Sequence, residues 1–233
     1  MPQPGNAAFD AAWALADRVP GWFTRAQGQA LWDAARDVPA GGLILEIGCH
    51  QGRSTLVLAS AAAAGSSRVI AIDPFVAGPM FGGAGARERF EQHLAAAGLR
   101  EVVRLLTARS GTLRPSWRGP LALLHIDGKH DYWTVSDDLR WAQHLPPAAP
   151  VFVHDAFSSL GVTLALLVHA VPGRALRYAG RTGSLARFEV GTPSGRDRLR
   201  LLAQLPWFAR NVLIKIALRV ARVVGYRGTP DPY

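Results

Sequence analysis

The chain has 233 residues, 49% of them apolar, with a single cysteine, Cys49. That length suits one α/β domain with short extensions and can bury a full core, while one cysteine excludes an internal disulfide and suits a reducing cytoplasm. The formal charge of +9 is unevenly placed: residues 174–233 hold 12 Lys and Arg against 3 Asp and Glu, so the whole excess lies in the last quarter and points to an anionic partner, whether membrane surface, nucleic acid or phosphorylated substrate.

The opening stretch MPQPGNAAFDAAW has neither the basic flank nor the apolar run of a signal peptide. Two amphipathic helices are predicted around 7–19 and 24–37, the second with Thr24 as N-cap. Strand-like and helix-like segments then alternate. Strands are expected at Leu43–Ile47, Val69–Ile72, Val102–Leu106, Leu121–Ile126 and Val151–Val153, and helices at 53–64, 86–98, 131–145 and 158–170. This alternation predicts parallel βαβ units and a doubly wound α/β sheet. Two more strands, around Ala175–Tyr178 and Leu185–Val190, are linked by Arg181, Thr182 and Gly183, and read as an antiparallel hairpin closing one edge of a mostly parallel, seven-stranded sheet. A Gly-rich loop is expected over 77–85, on the active face, and a helical tail over roughly 196–224. The chain thus divides into an N-terminal helical cap (1–39), a core (40–192) and a basic C-terminal extension (193–233).

The first strand runs into a glycine turn, LILEIGCHQGRST (43–55). Gly48 permits a tight turn and Gly52 a close approach to the following helix N-terminus, the place where parallel sheets bind nucleotide-like cofactors. His50 stands where a dinucleotide fingerprint has its middle glycine, which argues against NAD or FAD. Glu46 suits a cationic group better than a pyrophosphate. The second strand ends in Asp73, which can accept both hydroxyls of a ribose.

The fourth strand runs into LLHIDGKHDYW (123–133), and the fifth into VFVHDAF (151–157). Neighbouring parallel strands ending in Asp127 and Asp155 place two carboxylates on one rim. Unpaired, they would repel; a hard divalent cation such as Mg²⁺ resolves the repulsion with oxygen ligands and water. His130 follows Asp127 by three residues and titrates near ~6.5, so it can take a hydroxyl proton at neutral pH. Asp131 reads as an N-cap for the next helix, on which Tyr132, Val135, Leu139 and Ala142 form the core face, leaving Asp137 and Asp138 solvated. His125 reads as a satisfied core histidine, and His93, His144 and His169 as structural. Lys129 reads either as a contact for an anionic substrate or as solvated.

Glu46, Gly48, Gly52 and Asp73, with ALLHID as the fourth strand, resemble the class I S-adenosylmethionine (SAM) dependent methyltransferases over roughly residues 40–190, a Rossmann-like methyltransferase fold. The strings GRST, AIDPF, HIDGKHDY and VFVHDAF resemble the branch of macrocin-, mycinamicin- and novobiocin-type sugar O-methyltransferases. The resemblance implies SAM at the glycine turn, bordered by Gly48, His50, Gly52 and Ser54, with Glu46 near the methionine amine and Asp73 on the ribose. Thr107–Ser110, and so Ala108 and Ser110, would border the adenine. It also implies a divalent metal, Mg²⁺ or Mn²⁺, on Asp127 and Asp155, with His130 as general base. His154 stands where that branch has an acid, so either His154 or water would complete the metal site.

The expected activity is transfer of a methyl group from SAM to a hydroxyl of a saccharide, such as a cell-envelope or polysaccharide precursor or a glycolipid. Two other readings stay open: an RNA or small-aromatic methyltransferase, or a non-catalytic membrane- or partner-binding protein that keeps the fold. Against RNA, the chain shows no appended RNA-binding module and no aromatic-basic stacking motif. On a helical wheel of 207–224, Lys215, Arg219 and Arg222 fall within a narrow arc beside Asn211, and most of the rest is apolar. The charges interrupt the run too often for a membrane span, but the pattern suits an interfacial helix on anionic lipid at the inner face of the cell membrane, or a helix packed on its own domain or on a second subunit.

Overall fold

The computed structural model describes residues 4–76 and 85–223. The glycine-rich loop expected over 77–85 lies, apart from Gly85, outside them.

Two helices open the chain, α1 (Pro4–Ala16) and α2 (Arg25–Arg36). The expected N-cap at Thr24 is present as a full capping box: the Thr24 hydroxyl accepts from the Gln27 amide, and the Gln27 side chain accepts from the Thr24 amide at 2.8 Å. There follow β1 (Leu43–Ile47), α3 (Arg53–Gly65), β2 (Arg68–Ile72), α4 (Ala86–Ala96), β3 (Val103–Leu106), α5 (Ser110–Leu113), β4 (Leu123–Ile126), α6 (Tyr132–Asp138), β5 (Pro150–Val153), α7 (Leu160–Ala170), β6 (Leu176–Thr182), β7 (Leu185–Val190), α8 (Gly195–Leu202) and α9 (Leu205–Val223).

The strands form one sheet in the order β3-β2-β1-β4-β5-β7-β6, parallel from β3 to β5, with β7 antiparallel to both of its neighbours. Both faces are buried. Ile44, Val69, Leu123 and Phe152 face a core completed by Phe9, Trp13, Leu31, Trp32, Val57 and Phe90. Leu45, Ile70, Leu124 and Val151 face the opposite core, with Trp141, Phe157, Leu166 and Phe188. Near-continuous apolar strands are what two covered faces require.

Three local expectations change. The hairpin link is shorter than expected: β6 runs through Arg181 and Thr182, leaving Gly183 (φ 58°) and Ser184 as a two-residue turn. The helix expected over 131–145 is α-helical only to Asp138 and continues as a 3₁₀ segment, Leu139–His144. The single tail helix is two helices, interrupted at Ala203 and Gln204, with Pro206 in the first turn of α9, where a missing amide costs nothing.

The N-terminal helices are tied to the core through Arg53, at the start of α3. Its guanidinium donates to the carbonyls of Phe23 (2.9 Å) and Val19 (2.6 Å), pairs with Asp17 (2.8 Å), and lies 5.1 Å from the Trp13 ring centroid. An ammonium cannot reproduce this planar fork. Arg53→Ala is expected to cost about 2 kcal/mol in urea unfolding, from the lost charge-assisted bonds. Arg53→Lys should recover little of it, and both variants should open residues 17–24 to limited proteolysis.

Candidate active site

The register of the sheet builds the site. Ile47 pairs with Ile72 and with Ile126, and Ile126 pairs with Val153. One residue further on, Asp73, Gly48, Asp127 and His154 therefore stand in a row along the carboxyl rim. Gly48 is forced by this row: its φ is 87°, and a Cβ there would lie 2.2 Å from the Asp127 carbonyl oxygen. The glycine turn and the carboxylate rim are thus in direct backbone contact.

Within the turn, His50 adopts a left-handed φ of 47°, uncommon for a side chain of its size. Its amide is held by Asp73 Oδ2 at 2.9 Å, while Asp73 Oδ1 accepts the Phe75 amide at 2.7 Å. Asp73 therefore ties the ends of β1 and β2 together and remains partly exposed at the rim. Glu46 is turned inward and fully buried. It accepts from Ser54 Oγ (2.6 Å) and Thr55 Oγ1, and lies 3.1 Å from His125 Nδ1. Glu46 and Ser54 thus form an internal network beneath the turn rather than facing its mouth, and His125 contacts Glu46 through one ring nitrogen while its Nε2 is without a partner. Gly52 has φ 94° and packs against the Phe90 ring.

After β3, Ala108 is half-buried and Ser110 opens α5. The Ser110 hydroxyl donates to Asp138 Oδ1. Asp138, expected on a solvated face, is buried to 1% exposure with its second oxygen unpaired. Asp137 is half-buried and pairs with Arg114 at 2.6 Å. The reason is the short α5, which returns across α6 and covers that face. Sequence periodicity misses it because four residues leave no periodic signal. The expected N-cap is present: Asp131 Oδ1 accepts the amides of Trp133 and Thr134. Val135, Leu139 and Ala142 are buried as expected.

The rim beyond β4 and β5 is a cluster of two carboxylates and two imidazoles. His130 Nδ1 lies 3.2 Å from Asp155 Oδ2, and its Nε2 lies 3.5 Å from Asp127 Oδ1. His154 Nδ1 lies 3.2 Å from Asp127 Oδ1 and 3.9 Å from Asp155 Oδ2. Burial opposes the charges of Asp127, His130 and His154, and the mutual attraction outweighs it. Asp127 is held well below the ordinary carboxylate range, first by His154 and then by His130. Both histidines are pushed above theirs by the two aspartates. His130 is positioned by its backbone: Gly161 of α7 packs so closely that a Cβ would lie 2.3 Å from the His130 carbonyl oxygen.

Asp127, Asp155 and His154, the residues expected at a metal, lie together at this rim, and among the described residues no group of three or more His, Cys, Asp and Glu side chains is arranged to hold a metal. His154 sits beside both carboxylates, buried under Phe23, with neither ring nitrogen in an aligned hydrogen bond. Asp127 and Asp155, each 23% exposed, retain oxygens suited to a hard cation that keeps most of its water.

Asp138 gives a pH signature. Burial, reinforced by Asp137 and opposed by Ser110, pushes its carboxyl to about 7. Between the ordinary carboxylate range and about 7 the folded state holds a proton that the unfolded state releases, so stability falls as pH rises through that window and levels off above it. Asp138→Asn keeps the acceptor for Ser110 and removes the ionisation. Urea midpoints measured from pH ~5 to ~8 should show a fall on the order of a few kcal/mol in the natural protein and a much shallower one in the variant.

Residues 45–156, from β1 to the loop after β5, match the family described as a methyltransferase domain. Among solved structures, the chain is similar to the O-methyltransferase NovP, with 17% identity and a TM-score of 0.64 over 80% of this chain and 99% of that one. It is also similar to cofactor-bound Rv0187 from MTB, with 21% identity and a TM-score of 0.57 over 82% and 90%. A third likeness is to the O-methyltransferase TomG from Streptomyces achromogenes, in complex with SAM, with 21% identity and a TM-score of 0.54 over 84% and 92%. At these identities the likenesses establish the fold: the chain has the Rossmann-like methyltransferase fold, and residues 45–156, which match the methyltransferase-domain family, include the strands that build the rim.

Proposed function

We propose that the protein is a SAM-dependent O-methyltransferase acting on a hydroxyl of a saccharide, with His130 as the general base. The observation that carries this reading is the position of His130, 42% exposed and within 3.5 Å of both rim carboxylates, one backbone contact away from the glycine turn of the methyltransferase domain. O-methyl transfer needs an in-line approach and a hydroxyl relieved of its proton, and the cluster offers a proton acceptor at that place.

SAM, when bound, supplies a methyl group already activated on a sulfonium. The row of Asp73 and the glycine turn would seat it, with Asp73 accepting hydroxyls of the ribose. Asp127 and Asp155 would hold a divalent cation, Mg²⁺ or Mn²⁺, whose chemistry is to lower the pKa of an acceptor hydroxyl and orient it. His130 takes the hydroxyl proton on the solvent side of the pair, and His154 keeps the two carboxylates together from beneath. A saccharide is favoured because vicinal hydroxyls suit a carboxylate-held cation, and because the motifs resemble sugar O-methyltransferases.

Calorimetry and turnover of methyl-labelled SAM against a glycan extract test this. Asp73→Ala should weaken SAM binding markedly. Asp127→Ala and Asp155→Ala should abolish turnover while still binding SAM. His130→Ala should slow turnover by roughly 10²–10⁴-fold, the usual contribution of a general base. EDTA should stop the reaction and Mg²⁺ or Mn²⁺ restore it. Near-normal turnover by His130→Ala would place the base elsewhere, and turnover that persists in EDTA would remove the cation.

A further inference from the structure

The tail helix α9 packs on its own domain through its polar side. Asn211 is fully buried and donates to the Phe157 carbonyl at 3.0 Å; Lys215 donates to the Ser158 carbonyl at 2.8 Å. The part of the polar arc that holds Asn211 and Lys215 is therefore the docked side. The apolar side faces out: Leu213 is 66% and Ile216 55% exposed, with Ala209 and Ala217 also exposed beside them. On the wheel, Arg210 and Arg219, both exposed, flank this ridge on either side. Leu160, two residues beyond the carbonyl that Lys215 holds, is 71% exposed, and Leu164 and Val168 continue the exposed apolar line along α7.

We propose that the outer face of α9, with the Leu160 end of α7, is a docking surface for an anionic lipid bilayer. The charge pattern selects the occupant. The last 60 residues carry the entire excess of +9, so a second copy docked through this face would bring two strongly positive segments together, whereas an anionic surface neutralises them. Shallow insertion of an apolar ridge between arginines is the arrangement of a helix lying in the interface. Gly195–Arg219 is long and apolar enough to span a bilayer, but it is two helices, and Asn211 and Lys215 are engaged with the domain, so lying rather than crossing fits.

The full chain is sedimented with phosphatidylcholine vesicles, with and without phosphatidylglycerol. It should bind only the anionic vesicles and be released by high salt. The double variant Leu213→Ser, Ile216→Ser, altered only at exposed positions, should bind roughly tenfold or more weakly, from lost apolar insertion, with SAM affinity unchanged. The proposal fails if the intact chain binds neither vesicle, binds neutral vesicles equally, or binds as tightly after substitution. It also fails if light scattering shows a dimer that the double variant splits, which would make the ridge a subunit interface. None of these outcomes depends on methyl transfer.

Discussion

The parallel register of β1, β2, β4 and β5 is the constraint from which the site follows. Because Ile47, Ile72, Ile126 and Val153 are level, the next residue of each strand stands on the same rim. Strand spacing is about 4.8 Å, so side chains of adjacent strand ends meet without any long connection. A one-residue slip of β4 would turn Asp127 toward the opposite face and remove it from the row. Gly48 locks this arrangement, since the Asp127 carbonyl occupies the space of its missing Cβ. The pattern that buries the two faces of the sheet is thus the same pattern that delivers the chemistry.

Bringing carboxylates to a recessed rim costs desolvation, and the chain offsets it twice with imidazole. Beneath the turn, Glu46 is surrounded by Ser54, Thr55 and His125, which stabilise a carboxylate without any access to water. At the rim, His130 and His154 stand against Asp127 and Asp155. The two groups differ in exposure. The Glu46 network is fully buried. At the rim, His130 is 42% exposed, while His154 is buried under Phe23.

Much of this was legible in the sequence because doubly covered strands leave an unmistakable trace: LILEI, RVIAI, LLHI and PVFV are apolar runs that stop at Gly48, Asp73, Asp127 and His154. The end of such a run marks the rim, so the strand-end residues could be named without a structure. Asp138 could not. It lies three residues past Val135, at the edge of the core face, and only the return of the four-residue α5 decides that it is buried. His154 was legible as a rim residue, but its place as a counter-cation depends on where its ring turns, which no spacing encodes. The tail shows the same limit. A wheel yields the polar arc of α9, but whether that arc faces water or protein depends on acceptors more than 50 residues away in the chain.

Those acceptors explain why the tail is attached where it is. Asp155 and Phe157 both adopt left-handed backbone, at φ 53° and 59°, which L side chains adopt only when their surroundings enforce it. The enforcement is visible on every side. The Ala156 amide donates to Ser184, and the Ser158 hydroxyl donates to Asp155 Oδ1 at 2.8 Å. The carbonyls of Phe157 and Ser158, turned outward by this backbone, would have no partner in the sheet, and α9 supplies them with Asn211 and Lys215. The C-terminal helix is thus part of what fixes the Asp155 carboxylate opposite His130. Its inner face completes a strained loop of the site and its outer face presents an apolar ridge, so any surface that engages the ridge lies one helix away from the rim carboxylates.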